Sequence, residues 1–153
     1  MPKNLNSDIT KLITKYLSIR EHSKLELKTK LSSKGFEDRE IVECLHEFSL
    51  KNIQSDDRFT EEFIRSRLKK NKGPRLISSE LSARGISDTL INEKLFEISD
   101  DIWLSGALSA LEKKINNVPL SDMNDKKIYS FLIGRGFDHK MIKYALNEYK
   151  NER

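Results

Sequence analysis

The sequence predicts an all-α protein made of three tandem three-helix repeats that form an elongated, curved array. Two observations carry this prediction. A pattern of apolar residues and glycines recurs about every fifty residues along the chain of 153 residues. Within each copy the apolar residues are spaced i, i+4 and i+7, which places them on one face of a helix. Repetition at such a period is typical of arrays in which small units are stacked one after another.

Three glycines set the register of the repeat. Gly35 and Gly85 are 50 residues apart, and Gly85 and Gly136 are 51 residues apart. A glycine after an apolar i, i+4 pair predicts that a helix ends there in the left-handed conformation. Further columns then agree in chemical character: Leu27/Ile77/Ile128, Leu31/Leu81/Leu132, Lys34/Arg84/Arg135, Phe36/Ile86/Phe137, Ile41/Ile91/Ile142, Leu45/Leu95/Leu146 and Phe48/Ile98/Tyr149.

Each pair of helices around a glycine is preceded by a third helix, which a two-helix hairpin needs to bury its apolar face. The predicted units are residues 1–51, 52–99 and 100–153. A loop that contains Pro119 is predicted between the first and second helices of the third unit.

The middle unit has the clearest helix boundaries. Ser55 is a typical residue for capping the start of a helix. Gly73 is predicted to end that helix in the left-handed conformation, and Pro74 suits the first position of the next helix. In the third unit Trp103 takes the position that Phe59 has in the middle unit, so we place it in the third core.

Composition excludes several classes of protein. Hydrophobic residues make up 37% of the chain, charged residues 34%, and the net charge is +4. A single cysteine excludes an intramolecular disulfide and fits a reducing cytosol. We expect no signal peptide and no membrane-spanning segment, because no apolar run is long enough. These features predict a cytoplasmic protein, which we expect to be a monomer.

No pattern of residues predicts catalysis or a metal site. His22, His46 and His139 lack the spacing of metal ligands, and we expect each of them at the surface or at a boundary. Cys44 lies within a helical apolar pattern and is predicted to be a half-buried packing residue. The glycines follow helices and are isolated, so they do not form a phosphate-binding loop. We therefore expect a binding protein that is not an enzyme and needs no cofactor.

A run of basic residues is the candidate functional feature. Between positions 65 and 75 there are six basic residues and no acidic residue. Positive charge at a helix end is favoured by the helix dipole, but six charges exceed that need. The run therefore predicts a surface for an anionic partner, either phosphates or an acidic protein groove. With the flanking arginines, the candidate partner-binding residues are Arg58, Arg65, Arg67, Lys69, Lys70, Lys72, Arg75 and Arg84.

A longer motif surrounds this run. It consists of Asp56-Asp57-Arg58-Phe59, Phe63-Ile64-Arg65-Ser66-Arg67, Gly73-Pro74, Glu80-Leu81 and Arg84-Gly85-Ile86. The motif and its spacing resemble the signature of the bacterial RecX family, whose members modulate the RecA recombinase. The resemblance implies a cytosolic regulator in DNA repair and the SOS response. Such a regulator binds the RecA–DNA filament and lowers its ATPase, recombinase and coprotease activities. Some members of the family also bind DNA on their own.

A second interpretation is a DNA-binding protein that acts on naked DNA. A three-helix unit with a tight turn is geometrically close to a helix-turn-helix. Against this interpretation, Leu90, Ile91 and Leu95 commit much of the would-be recognition helix to the core, and Glu93 makes that helix acidic.

Overall fold

The computed structural model describes residues 4–117 and 124–151, and within these ranges the chain forms helices joined by short turns. In chain order they are α1 (Ser7–Ile19), α2 (Lys24–Ser33), α3 (Asp38–Leu50), α4 (Asp56–Lys69), α5 (Pro74–Ala83), α6 (Asp88–Phe96), α7 (Asp100–Asn116), α8 (Asp125–Gly134) and α9 (His139–Asn151). The described ranges contain no strand, so the all-α prediction is confirmed there. The predicted loop around Pro119 lies outside them.

Glycines end the second helix of each unit, as the repeat predicts. Gly35, Gly85 and Gly136 follow α2, α5 and α8 with φ angles of 91°, 83° and 99°. A side chain in this left-handed region costs about 1 kcal/mol, so glycine is favoured at all three positions. Each turn then leads directly into the third helix of its unit.

Buried side chains form three clusters. In each of the helix pairs that pack most extensively, both helices come from the same three-helix unit. The first cluster comes from α1–α3, the second is centred on α4–α6, and the third comes from α7–α9. The chain is therefore a tandem series of three-helix units. Phe59, only 3% exposed, lies in the middle cluster.

Trp103 belongs to a different core from the one we predicted. It is 5% exposed and packs in the middle cluster, although it lies on α7. Only three residues separate α6 from α7, so the first turn of α7 is still beside the middle unit. Met141 of α9 packs against both the middle and the third clusters. The third unit thus shares part of its apolar surface with the middle unit.

The first and middle units meet at what we call the first junction, which is built from side chains. Ser23 Oγ donates to the carbonyl of Arg84 at 2.8 Å, and the backbone N–H of Lys24 donates to Asp56 Oδ1 at 2.8 Å. Leu25 packs so closely on Gly85 that a Cβ at that glycine would lie 2.6 Å from the Leu25 Cβ.

His22 is buried at the first junction, with 2% of its surface exposed. We expected His22 at the surface or at a boundary. It lies at the boundary between two units, but its side chain is buried there. Its carbonyl accepts from Gln54 Nε2 at 3.3 Å. Its ring nitrogens lie 3.0 Å from the carbonyl oxygen of Arg20 and 3.1 Å from Lys30 Nζ.

The middle and third units meet at the second junction, which runs from backbone to backbone. The N–H of Gly73 donates to the carbonyl of Arg135 at 2.7 Å, and the N–H of Arg75 donates to the carbonyl of Gly136 at 3.0 Å. Leu76 lies against Gly136. At both junctions, the start of the second helix of one unit contacts the turn after the second helix of the next unit.

Candidate partner-binding surface

The basic run lies on the end of α4, the turn after it and the start of α5. Ser55 caps α4 by accepting from the N–H of Arg58 at 3.1 Å, as predicted. The left-handed residue at the other end of the helix is Asn71, with φ of 55°, and our assignment of this role to Gly73 is wrong. Gly73 is extended, with φ of −90°, and instead caps α5. A Cβ at Gly73 would lie 2.4 Å from the carbonyl carbon of Gly136, so the second junction leaves no room for a side chain.

Four of the eight candidate residues are exposed cations: Arg65, Lys69, Lys70 and Arg75. None of them forms an ion pair with any residue that the structure describes. Arg65 and Lys69 are four residues apart on α4, so they lie on the same face. Their charges are free to attract an anionic partner.

Two other candidates, Arg67 and Arg84, are held by a ring and by carboxylates. Their guanidinium carbons lie 4.3 Å and 4.7 Å from the centre of the Phe63 ring. Arg67 donates to both carboxylate oxygens of Glu80, at 3.2–3.3 Å. Arg84 lies 3.7 Å from Glu26 and also donates to the carbonyl of Glu80 at 2.9 Å. These two arginines line a cleft of about 240 Å³ at the first junction.

Arg58 is also occupied within the molecule. Its Nε donates to Glu21 Oε1 at 3.0 Å, and one terminal nitrogen donates to the carbonyl of Ile53 at 3.0 Å. Since Glu21 lies in the first unit, this pair links the first and middle units. Among the candidates, Arg58, Arg67 and Arg84 thus have ion-pair partners, whereas the side chains of the four exposed cations form no ion pair within the described ranges.

Lys72 differs from the other candidates because it is half-buried. Burial lowers the pKa of its amine, and the nearby charge of Arg135 lowers this pKa further. The charges of Arg67 and Lys70 act in the same direction, while Glu80 opposes them. Lys72 is therefore surrounded by more basic than acidic side chains among the groups that shift its pKa.

Two arginines that the sequence analysis did not select belong to the same surface. Arg20 lines the cleft at the first junction and pairs with Glu26 at 3.0 Å. Arg135, in the third unit, donates to the carbonyl of Lys70 and thus touches the basic run. The repeat could have indicated Arg135, because Lys34, Arg84 and Arg135 form a column in which a basic residue precedes each glycine.

Other possible sites offer little chemistry. The described residues contain no group of three or more His, Cys, Asp or Glu side chains that could hold a metal ion. Cys44 is fully buried rather than half-buried, and burial raises the pKa of its thiol, which disfavours the reactive thiolate. Of the helices described, none is long and apolar enough to cross a bilayer.

The α5–α6 pair gives little support to the helix-turn-helix interpretation. Ile91 of α6 is 1% exposed, and Leu90 and Leu95 are half-buried against the middle cluster. Glu93, which is exposed, would repel a DNA backbone. The face of α6 left for a partner is short and partly acidic.

Comparison with protein families gives two matches. Residues 55–95 match the model described as "RecX, second three-helix domain", and residues 14–48 match "RecX, first three-helix domain". The first of these ranges contains all eight candidate partner-binding residues and the whole of α4 and α5.

Curated relatives have the same family name, and they match this chain along most of their length. "Regulatory protein RecX" of Legionella pneumophila (strain Corby) is 38% identical over 136 residues, which cover 88% of this chain and 90% of the relative. "Regulatory protein RecX" of Chromohalobacter salexigens is 34% identical over 130 residues, which cover 85% of each chain.

Solved structures show the same fold. The crystal structure of RecX from Lactobacillus salivarius aligns with a TM-score of 0.79 and 24% identity, and covers 93% of this chain and 94% of that one. A second crystal structure of regulatory protein RecX also aligns with a TM-score of 0.79, at 17% identity, and covers 92% of this chain and 71% of that one.

Proposed function

Because this chain belongs to the RecX family of regulatory proteins, we propose that it is a negative regulator of RecA. It binds the RecA–DNA filament and lowers the ATPase, recombinase and coprotease activities of RecA, in DNA repair and the SOS response. It acts by binding and not by catalysis, as a monomer, in the cytoplasm where RecA works. The observation that carries this proposal is the 38% identity to a curated regulatory protein RecX along 88% of the chain.

The architecture suits a polymeric partner. A series of like-built units presents similar surfaces at intervals, and a filament presents repeated subunits. Several weak contacts along one ligand raise the overall affinity through effective concentration, without any single tight site. The exposed cations Arg65, Lys69, Lys70 and Arg75 are the residues that we propose as contacts, because they form no ion pair with a residue that the structure describes.

The ATPase rate of the cognate RecA on single-stranded DNA tests this function. With this protein titrated in, we expect the rate to fall and to reach a plateau at a stoichiometry below one chain per RecA subunit if each chain spans several subunits. An unchanged rate with this chain in excess would contradict the proposal.

Binding to naked DNA separates the proposal from the helix-turn-helix interpretation. A protein that acts on naked DNA should bind duplex DNA without RecA and lose affinity steeply as salt is raised. A regulator of RecA should lower the ATPase rate at concentrations that leave naked DNA largely unbound. Inhibition that appears only at concentrations saturating the DNA would favour the helix-turn-helix interpretation.

A further inference from the structure

The second junction brings together basic side chains from two different units. Lys70 and Lys72 lie in the turn after α4 in the middle unit, and Arg135 lies in the turn after α8 in the third unit. The guanidinium group of Arg135 donates to the carbonyl of Lys70, and its carbon lies 5.8 Å from the centre of the Phe131 ring. The backbone bond from Arg75 to Gly136 places a fourth basic residue at the edge of this group.

These charges are poorly compensated. Glu80, whose charge raises the pKa of Lys72, is already engaged by Arg67. Asp101 lines a cleft together with Lys72 but forms no ion pair with it in the described structure. The Nε of Arg135 is buried and has no hydrogen-bond partner among the described residues.

At the first junction, a carboxylate compensates the positive charge at the equivalent position of the repeat. There Arg84, which occupies the column of Arg135, lies near Glu26, and Arg20 pairs with Glu26 at 3.0 Å. The second junction has Leu76 at the position of Glu26 in the repeat, so this carboxylate is absent. Like charges held close together raise the free energy of the unbound protein, and a bound anion would relieve that repulsion.

We propose that the second junction is a binding site for a phosphate group, formed jointly by Lys70, Lys72 and Arg135 with Arg75 at its edge. Several cationic donors suit a phosphate group, which has several acceptor oxygens, better than they suit one planar carboxylate. The phosphate belongs either to a nucleic-acid backbone or to a free phosphate compound. Because its donors come from two units, occupation of the site also holds the middle and third units together. This inference extends the proposed function to a ligand class, but its test contains no RecA, so the two can fail independently.

The chain carries its own reporter for this site. Trp103 is the only tryptophan in the sequence. It lines, with Lys72, a cleft of about 290 Å³ at the second junction. A ligand that binds Lys72 and Arg135 should therefore change the fluorescence of Trp103.

The test is a titration of Trp103 fluorescence with pyrophosphate in one arm and an oligothymidylate in the other. Ionic strength is held constant within each titration, and the oligothymidylate arm is repeated at several salt concentrations. The variant Lys72→Gln/Arg135→Gln removes two donors of the site. The control Lys126→Gln/Lys127→Gln removes the same charge from exposed positions on α8. Circular dichroism and urea unfolding establish that each variant is folded, and the single variant Lys72→Gln replaces the double one if loss of Arg135 unfolds the chain.

We expect a saturable change in wild type and in the control, and at least about tenfold weaker binding in the junction variant. In the oligothymidylate arm, the slope of log affinity against log salt should become shallower by about 0.7 for each lost phosphate contact. Saturation by both ligands indicates a general phosphate site, and saturation by the oligonucleotide alone indicates a nucleic-acid backbone site. Equal binding by the junction variant, or no saturable change with either phosphate ligand, would overturn the proposal. Polyglutamate is titrated as a third ligand, and its saturation without saturation by either phosphate ligand would also overturn the proposal.

Discussion

At the first junction the units are bonded through side chains, whereas at the second they are bonded from backbone to backbone. Ser23 Oγ reaches the carbonyl of Arg84 at the first junction, and the N–H of Gly73 reaches the carbonyl of Arg135 at the second. Ser23 and Gly73 are 50 residues apart and occupy the same position in the repeat. The same contact between units can therefore be made by different chemical groups.

This difference has an electrostatic consequence. Side chains that build the first junction include carboxylates, and these pair with Arg20, Arg58 and Arg84. The backbone bonds of the second junction carry no net charge, so the cations around them are left without ion-pair partners in the described structure. The surface that we propose for an anionic partner therefore lies where the backbone, and not carboxylates, makes the contact between units.

Replacement of Trp103 should have the largest effect, since it removes a large buried side chain that links the third unit to the middle cluster. Trp103→Ala should lower the free energy of unfolding by about 3–5 kcal/mol, because the side chain is buried in the middle cluster. Ile102→Ala is the matched control, as Ile102 is 47% exposed on the same turn. Urea unfolding followed by circular dichroism measures both. A loss below about 1 kcal/mol for Trp103→Ala would place this side chain outside the core.

A methyl group at Gly73 tests the backbone contact directly. Gly73→Ala should lower the free energy of unfolding by about 1–3 kcal/mol, because the new Cβ meets the backbone of Gly136 and overpacking forces the two units apart. Gly134→Ala is the control, since a Cβ at that helical glycine meets nothing within 4 Å. The control should raise stability by up to about 1 kcal/mol. Equal effects of the two changes in urea unfolding would contradict the close approach of the backbones.

Gly35 and Gly85 allow the first junction to be measured apart from backbone strain. Both have left-handed φ angles, so an alanine at either position costs about 1 kcal/mol in strain. Only Gly85 faces a neighbouring unit, through Leu25, while a Cβ at Gly35 meets nothing within 4 Å. Gly85→Ala should therefore be more destabilising than Gly35→Ala by about 1 kcal/mol or more in urea unfolding. The comparison between junctions fails if the two variants unfold alike.

His22 should give the first junction a small dependence on pH. Burial lowers the pKa of His22, and the charges of Arg20 and Lys30 lower it further, while the carbonyl of Arg20 and the charge of Glu26 oppose the shift. The unfolded chain therefore binds a proton on this ring more readily than the folded chain. The contribution of neutral His22 to the free energy of unfolding is therefore fully present above the ordinary histidine pKa of about 6.5, and it is lost as the pH falls below that value.

The measurement is urea unfolding between about pH 7.5 and about pH 5.5. Although burial opposes it, bonds from Arg20 and Ser23 hold the pKa of Glu26 below its ordinary value, so Glu26 stays ionised in this range. As the pH is lowered, the free energy of unfolding should fall less steeply in His22→Gln than in wild type. The difference between the two slopes should be below about 1.4 kcal/mol per pH unit. An identical pH dependence in the variant would mean that His22 does not contribute.

Local patterns in the sequence predicted most of the fold. Gly35, Gly85 and Gly136 end their helices with the expected conformation, and Ser55 caps α4. These features depend on a few neighbouring residues, so their physics can be derived from a short stretch of sequence. The core position of Trp103 depends instead on how two units pack, and the repeat alone assigned it to the wrong cluster.

The candidate surface was less predictable for the same reason. The basic run could be found from the sequence, but the ion-pair partners of the candidate arginines could not. Arg58 pairs with a glutamate 37 residues away, and Arg67 pairs with one 13 residues away. Arg135, which approaches Lys70 from 65 residues away, was also missed. Which charges remain unpaired is decided by tertiary contacts that no local pattern contains.

The most direct test of the account compares two charge reversals in the RecA ATPase assay. Arg65→Glu/Lys69→Glu changes two exposed cations four residues apart on α4, and Lys11→Glu/Lys15→Glu makes the same change on α1. We expect wild type and the α1 variant to inhibit alike, whereas at least about tenfold more of the α4 variant should be needed for half-inhibition. Wild-type inhibition by an α4 variant with an unchanged circular dichroism spectrum would contradict this expectation.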